Sequence, residues 1–521
     1  MLKIRTTKTK SSATAVQVVR YEDKIIHIEK HIGSAKNEKE LKLLKKVANH
    51  FIQKNSISSG QQQLFSLSQS SSFSKIIQLD KCEYLGARHT FIYDALIFMM
   101  QLFGFDKIGN QMLLDIICMR IIEPSSKLQT LVLLRELFGI SYEETDFYKN
   151  LKQFSVLKQD AEKAVVSFAK RYYSFDFSMV FYDVTTLYYE SFTEDEDTLD
   201  EEGNVIKKGL RRDGFSKDLK FNQPQITIGL MVNSNGFPVS YEIFEGNTFE
   251  GDTFLPSILE FKKKYNVKKL TIVADAAMIS FDNIKKLKER KLKYIVGARL
   301  ANIPLTVMKK ISEELAAIDG KTGRIHTNKG TLIYDFSANR YKKDKREMGK
   351  QVIKAERLVE KNTEGRRTKF LKLKTSNKKK DAPKTYELNS KLVEKAKLLL
   401  GIKGYYTNLT GKKASNKIIV YHYHSLWHVE KAFRIAKSDL QMRPIYHFKK
   451  QAIEAHILIC FMALAVCKHM ELKTKKSTRK IVKLLKSITE ARIKNLLTEE
   501  IITMKQKLPE EVEELIKKLK N

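Results

Sequence analysis

The chain has 521 residues, 42% of them hydrophobic and 10% aromatic, enough to bury large cores, which excludes a disordered tail or a small disulfide scaffold. Lys and Arg number 95 against 60 Asp and Glu, a net charge of +35. A polyanion is the natural partner, and nucleic acid fits best because phosphates bound by many cations release condensed counterions.

In chain order, VQVVRYEDKIIHIEKHIG alternates as one or two strands, and KNEKELKLLKKVANHFIQK follows with a helical period. We take 1–75 as an N-terminal strand-helix region with a possible DNA-reading role, ending in a Ser-rich linker, Ser66–Ser74. Residues 76–175 carry helical patterns such as DALIFMMQLFGF and predict a helical domain.

FSMVFYDVTTLYYESF reads as a strand. The acidic run EDEDTLDEEG and the basic run KKGLRR predict an exposed loop. QITIGLMVNSNGFPVSYEIF predicts two strands around a turn at Asn233–Gly236. The helix DTFLPSILEFKKKY, the strand KKLTIVAD, the helix NIKKLKERK and the strand YIVGARL follow. This order predicts a mixed α/β sheet flanked by helices over 176–300.

Residues 301–418 are strongly basic with strand-like pieces, and predict a β-rich insertion. Residues 419–473 return to helices that complete the core, and 474–521 predict a charged helical tail suited to self-association or to a solvated bundle. The longest apolar run, Ala455–Cys467, is shorter than the roughly 20 residues of a membrane span and predicts a buried core helix. The N-terminus lacks a signal-like apolar stretch. Cys82, Cys118, Cys460 and Cys467 make no Cys-x2-Cys pair and imply a reducing compartment, the cytoplasm. No phosphate-binding GxxxxGK[ST] or GxGxxG loop is present, so nucleotide-driven chemistry has no support.

Three acids stand out. Asp183 interrupts the apolar strand MVFYDVTTLYY, where an unpartnered carboxylate is costly, and Asp275 ends LTIVAD, at the carboxyl end of a strand where α/β folds place ligands. Either alone suits a hydrogen-bonded Asp. Glu430 lies in SLWHVEKAFRIAKSDL, read as a helix. A seven-residue step returns to within about 20° on a helix, so Tyr423, Glu430 and Lys437 would form a polar line beside Leu426, Val429, Phe433 and Leu440. That line is either a solvated edge or the wall of a cleft. Three carboxylates brought to one point would suit two Mg²⁺ or Mn²⁺ ions, with Lys437, Arg434 and Tyr423 holding phosphates. His424 and His428 have the i,i+4 spacing of a zinc pair and His422 lies nearby, but no HExxH companion is present. Trp427 reads as a core residue, or as a stacking platform for a displaced base.

YDVTT, GFSKDLK, VADAAMIS and LWHVEKAFRIAKSDLQMRPIYH together resemble the DDE transposases of bacterial insertion sequences, in the branch with a β-rich insertion before the last acid, over about Phe177–His469. The family's Tyr, Arg, Glu, Lys signature falls on Tyr423, Leu426, Glu430 and Lys437, with Leu426 in place of Arg and Arg434 able to supply a related charge. The resemblance implies an RNase H-like core. It assigns Asp183, Asp275 and Glu430 as catalytic metal ligands for two divalent ions, and Tyr423, Arg434 and Lys437 as DNA contacts. It also implies terminal inverted repeats and target DNA as partners, two protomers on paired ends, and a hairpin intermediate. A nuclease of the same fold without strand transfer, or an inactive DNA-binding repressor, are the alternatives.

Overall fold

MVFYDVTTLY, rich in β-branched and aromatic residues, forms the strand Met179–Tyr188 (β1) at the centre of an eight-stranded mixed sheet. The computed structural model describes residues 2–9, 13–22, 25–56, 81–108, 110–278, 280–361, 368–373, 386–496 and 499–520. The Ser66–Ser74 linker expected from sequence lies outside the described residues. The chain forms two compact units, one of Leu96–Leu131, Tyr142–Val482 and Lys517–Asn521, the other of Met1–Ala95, Val132–Ser141 and Lys483–Ile516.

In the larger unit β1 pairs antiparallel with Gln225–Val232 (β2), which pairs antiparallel with Pro238–Glu245 (β3). Every residue of β2 is buried, as befits a strand covered on both faces. Asn233 makes the β2–β3 turn by accepting the Asn235 and Phe237 N–H groups on its side chain at 2.9 and 3.0 Å. Gly236 takes the left-handed φ of +74° that this turn requires. On the other side of β1 run Thr271–Ala274 (β4), parallel to β1, and Lys293–Ala298 (β5), parallel to β4. The order β3-β2-β1-β4-β5, three antiparallel strands and then two parallel ones, is the RNase H-like arrangement.

Helices Glu250–Lys264 (α1) and Phe281–Glu289 (α2) provide the crossovers that parallel strands need. Alternation along β1 sends Tyr182 toward α1, where its hydroxyl donates to Thr253 Oγ1 at 2.9 Å, and sends Asp183 to the opposite face.

The stretch 301–418 does not form a separate β-rich body. Its strands Thr322–Thr327 (β6), Gly330–Phe336 (β7) and Ile402–Thr407 (β8) extend the main sheet in the order β5-β8-β7-β6, all antiparallel. Helices Leu305–Leu315 (α3), Ala338–Glu360 (α4) and Ser390–Leu398 (α5) make up more of it than strands do. The helical period of DKREMGKQVIKAERLVEK is legible in sequence and falls on α4, whose buried residues are Ala355 and Leu358.

Asn416–His424 (α6) packs on β4, β5 and the added strands, and Trp427–Arg434 (α7) packs on β1 and β2. Lys450–Thr474 (α8) is 25 residues long and apolar enough to cross a membrane by length and composition. It is a core helix here: residues 455–471 are all buried, against β3 and the helices Gln111–Ile122, Glu144–Phe154 and Lys158–Tyr173. No disulfide joins any of the four cysteines.

The acidic and basic runs expected as an exposed loop neutralise each other. Asp195 accepts the Arg211 backbone N–H at 2.9 Å and pairs with its guanidinium, while Arg212 pairs with Asp197. Arg211 is buried as a result.

In the smaller unit Leu2–Lys8, Thr14–Glu22 and Ile25–Ala35 form an antiparallel sheet under the helix Glu38–Ser56, closed by Val16, Val18, Ile32, Leu44 and Ala48. Glu490–Asn495, expected as helix, is instead a strand between Cys82–Arg88 and Ile501–Lys505. Its RIK alternation matches a strand period once a neighbour on each side is available.

Candidate active site

The parallel register of β1 and β4 brings the first two acids together. Ala274 lies opposite Tyr182, so the next register position sets Asp275 beside Asp183, about 5 Å away across neighbouring strands. Asp183 is in mid-strand and Asp275 just past a strand end. Glu430 approaches from α7, and all three line one cleft of about 470 Å³ with Lys217, Lys403, Tyr423, His424, Leu426 and Trp427.

Burial pushes the Asp183 carboxyl up to about 6. Lys217 and the Val184 N–H oppose the shift, and Asp275 and Glu250 reinforce it. Tyr423 donates to Asp275 Oδ1 at 2.6 Å, and burial beside that carboxylate holds its phenol well above the ordinary range, so it stays a neutral donor. Gly297 on β5 makes this possible, because a Cβ there would lie 2.5 Å from the Tyr423 hydroxyl oxygen. Lys217 donates to the Val184 carbonyl at 2.6 Å and pairs with Glu250 at 2.7 Å, which anchors the GFSKDLK loop over β1. Lys403, on β8, sits 4.5 Å above the Tyr423 ring centroid, and burial lowers its pKa.

The single helix expected from Tyr423 to Lys437 is broken twice. A tight turn at Ser425–Leu426 separates α6 from α7, with Leu426 N–H bonding back to Tyr423 and His428 N–H to Ser425. A π-helical turn, Ile435–Asp439, follows α7. The seven-residue line therefore does not hold. Lys437 turns to Asp218 at 3.4 Å, which Arg443 also grips at 2.6 Å. Arg434 lines a neighbouring cleft with His428 and Lys431. Of the three expected DNA contacts, Tyr423 alone lines the acidic cleft.

His424 and His428 line different clefts, which dissolves the zinc pair. Trp427 is not core: it is 51% exposed, stacked on His428 with centroids 3.9 Å apart, and borders both clefts. The cleft also holds Lys217 and Lys403, which no sequence motif assigned to the site. GFSKDLK gave a signal for Lys217; Lys403 sits in GIKGYYTN, where nothing local marks a site.

The expected convergence of three carboxylates on one point is not met. Among the described residues no group of three or more His, Cys, Asp and Glu gathers tightly enough to hold one ion. Two of the acids are fixed on adjacent strands and the third stands on a helix, which divides the donor set. The donors fit hard divalent cations in type, and they suit ions that each take part of the set and complete their shells with water or phosphate oxygens.

A cleft lined by three carboxylates and two lysines on an RNase H-like sheet defines a candidate phosphoryl-transfer site. Residues 216–466 match the family model described as transposase DDE domain, which implies a phosphoryl-transfer enzyme. The matched span contains Asp275 and Glu430 and begins after Asp183. Among solved structures the chain is similar to a piggyBac transposase synaptic complex with hairpin DNA, at 10% identity over 76% of this chain and 77% of that one, with a TM-score of 0.37. It is also similar to a Mos1 transposase paired-end complex with left transposon end, at 12% identity over 48% and 66% of the two chains, with a TM-score of 0.15. No curated protein sequence matches.

Proposed function

We propose that the protein is a DNA transposase that cuts at the terminal inverted repeats of a mobile element and joins the freed 3′ hydroxyl to target DNA. The observation that carries this reading is the β1–β4 register, which sets Asp183 beside Asp275 in the cleft that Glu430 lines. Strand transfer forms one P–O bond and breaks another; the attacking hydroxyl gives its proton to solvent and the leaving 3′ oxygen of the target takes one up. It conserves the number of phosphodiesters and needs no nucleotide, in keeping with a sequence that has no phosphate loop.

Asp183, Asp275 and Glu430 would hold Mg²⁺ or Mn²⁺, which when bound stabilises charge on the attacking and leaving oxygens. The remaining work falls to the chain itself. Tyr423 orients Asp275 by its hydrogen bond. Lys217 and Lys403 flank the acids and supply positive charge for the non-bridging oxygens of the scissile phosphate. Arg434, on the adjoining cleft, is placed to follow the strand beyond it, and Lys437 serves through Asp218 by fixing the Lys217 loop. The net charge of +35 suits a long DNA path and two protomers on paired ends.

The test is incubation of the full chain with end-containing DNA and Mg²⁺. Cleaved and joined products from the wild type, and none from Glu430→Gln, support the reading. Cleaved products without joined ones would reduce it to a nuclease, and equal products from both proteins would remove Glu430 from the site.

A further inference from the structure

A second cavity, of about 460 Å³, lies in the same unit and shares no lining residue with the acidic cleft. Its wall carries Arg120, Lys127, Arg443, His447 and His456, and it has no acidic lining residue. Arg443 is already paired with Asp218. Arg120 and Lys127 are not paired with any carboxylate among the described residues, although they are only 5% and 6% exposed. Arg120 gives one guanidinium N–H to the Ser125 carbonyl at 3.2 Å, and its buried Nε has no partner among the described residues.

Lys127 reaches His456 Nδ1 at 3.3 Å. His456 Nε2 lies 3.0 Å from the Met442 carbonyl, which fixes the proton on Nε2 and leaves Nδ1 as acceptor for one ammonium proton of Lys127. Burial, and then Arg120, lower the Lys127 pKa well below the ordinary lysine value, so its ammonium form, with two N–H groups that have no partner among the described residues, is the form an anion would hold in place. Lys127 also opens the helix Lys127–Phe138, with Ser126 capping it by accepting the Gln129 N–H at 3.2 Å, so the positive end of a helix dipole faces the same space. Buried cations without an opposing charge are costly; burial first, and then the charges of Lys127 and Arg120, push the neighbouring His447 and His456 down. An anion seated among them would satisfy the guanidinium Nε, the ammonium and the helix terminus together.

The rim argues for a phosphate carried by a nucleotide chain over a free ion. Tyr148, Tyr446 and Leu128 are 45%, 65% and 46% exposed at the mouth and offer aromatic and apolar surface to a base or sugar. Arg443 links the pocket to Asp218, next to the cleft residue Lys217. We propose that this pocket is a second phosphate site, outside the acidic cleft, that holds one backbone phosphate of a nucleic-acid strand on Arg120 and Lys127. The nucleic-acid part rests on the reading above; the phosphate part does not.

The experiment measures binding only, in the full chain. Thermal unfolding is followed with inorganic phosphate and with chloride at matched ionic strength, for wild type, Lys127→Met and Leu128→Glu. Lys127→Met keeps the volume and removes a buried charge; Leu128→Glu adds a negative charge at the exposed mouth without touching the interior. Phosphate should raise the wild-type midpoint more than chloride does. The increment should vanish in Lys127→Met and shrink in Leu128→Glu. Equal increments in all three proteins would overturn the site.

A random-sequence duplex is then titrated in the Asp183→Asn background, where cutting does not interfere. Lys127→Met should weaken binding about tenfold at low salt and reduce the slope of log K against log salt by about one. An unchanged slope beside a lost phosphate increment would overturn the strand assignment and leave a free-phosphate site. Failure of the wild type to cut DNA bears on the acidic cleft and leaves both binding results standing.

Discussion

Tyr423 Oη donates to Asp275 Oδ1 at 2.6 Å, and this bond joins the end of α6 to the end of β4 across the acidic cleft. It occupies one of the two oxygens of Asp275 and leaves the other for a ligand. Tyr423→Phe keeps the ring under Lys403 and removes the bond. We expect an intact fold and DNA cleavage reduced about tenfold, in line with the loss of a hydrogen bond to a charged group. Steady-state cleavage assays, with circular dichroism as the check on folding, measure it. Wild-type activity in Tyr423→Phe would show that Asp275 is positioned by its strand alone.

Gly297 supplies the space for that bond, so Gly297→Ala should do more damage than Tyr423→Phe. The new methyl would sit 2.5 Å from the tyrosine oxygen and 2.9 Å from the Ala276 nitrogen, and the second of these is backbone that cannot swing aside. The expected result is lower stability together with lost cleavage. Adding Tyr423→Phe should relieve part of the stability loss. A double variant no more stable than Gly297→Ala would place the strain at Ala276 alone.

Asp183 gives a pH signature. Its carboxyl is raised to about 6 in the folded protein, against an ordinary value near 3.8, so the fold favours the protonated form. Between these values the folded chain holds a proton that the unfolded chain has released, and this group's contribution to stability falls as pH rises from about 4 to 6 and then levels off. Asp183→Asn removes that penalty. The variant should be more stable than wild type at pH 7 to 8, by at most about 3 kcal/mol, and the difference should close below about pH 4. Denaturant titrations across this range test it. Metal-dependent cleavage by the wild type should fall as pH drops through 6, since a protonated carboxyl is a poor ligand.

The sheet was legible because its strands advertise themselves: MVFYDVTTLY, QITIGLMV and LTIVA are apolar runs of strand length closed by turn residues. The pairing of Asp183 with Asp275 was half legible, since sequence marks each acid as out of place but only the register sets them side by side. What sequence hid was non-local. Strand β8 reaches the sheet after an excursion of some hundred residues, and Lys403 arrives with it. The breaks around α7 were hidden as well: SLWHVEKAFRIAKSDL has no Gly or Pro to announce them, and a helical wheel drawn through it puts Lys437 beside Glu430 when the π turn sends it to Asp218.

That displacement makes Lys437 a positioning group, and the claim can be separated from a direct DNA contact. Lys437 and Arg443 both hold Asp218, whose neighbour Lys217 lies in the cleft. If Lys437 acts through Asp218, then Lys437→Ala and Asp218→Asn should each lower cleavage, and the double variant should be little worse than the more damaged single one. The coupling free energy of such a shared contact is about 0.5 to 3 kcal/mol. The salt dependence of DNA binding should stay at the wild-type slope in Lys437→Ala, because a lysine already committed to a carboxylate releases few counterions. Additive losses with a slope reduced by about one would instead assign Lys437 to a phosphate of the bound DNA, with the Asp218 pair breaking when the strand enters.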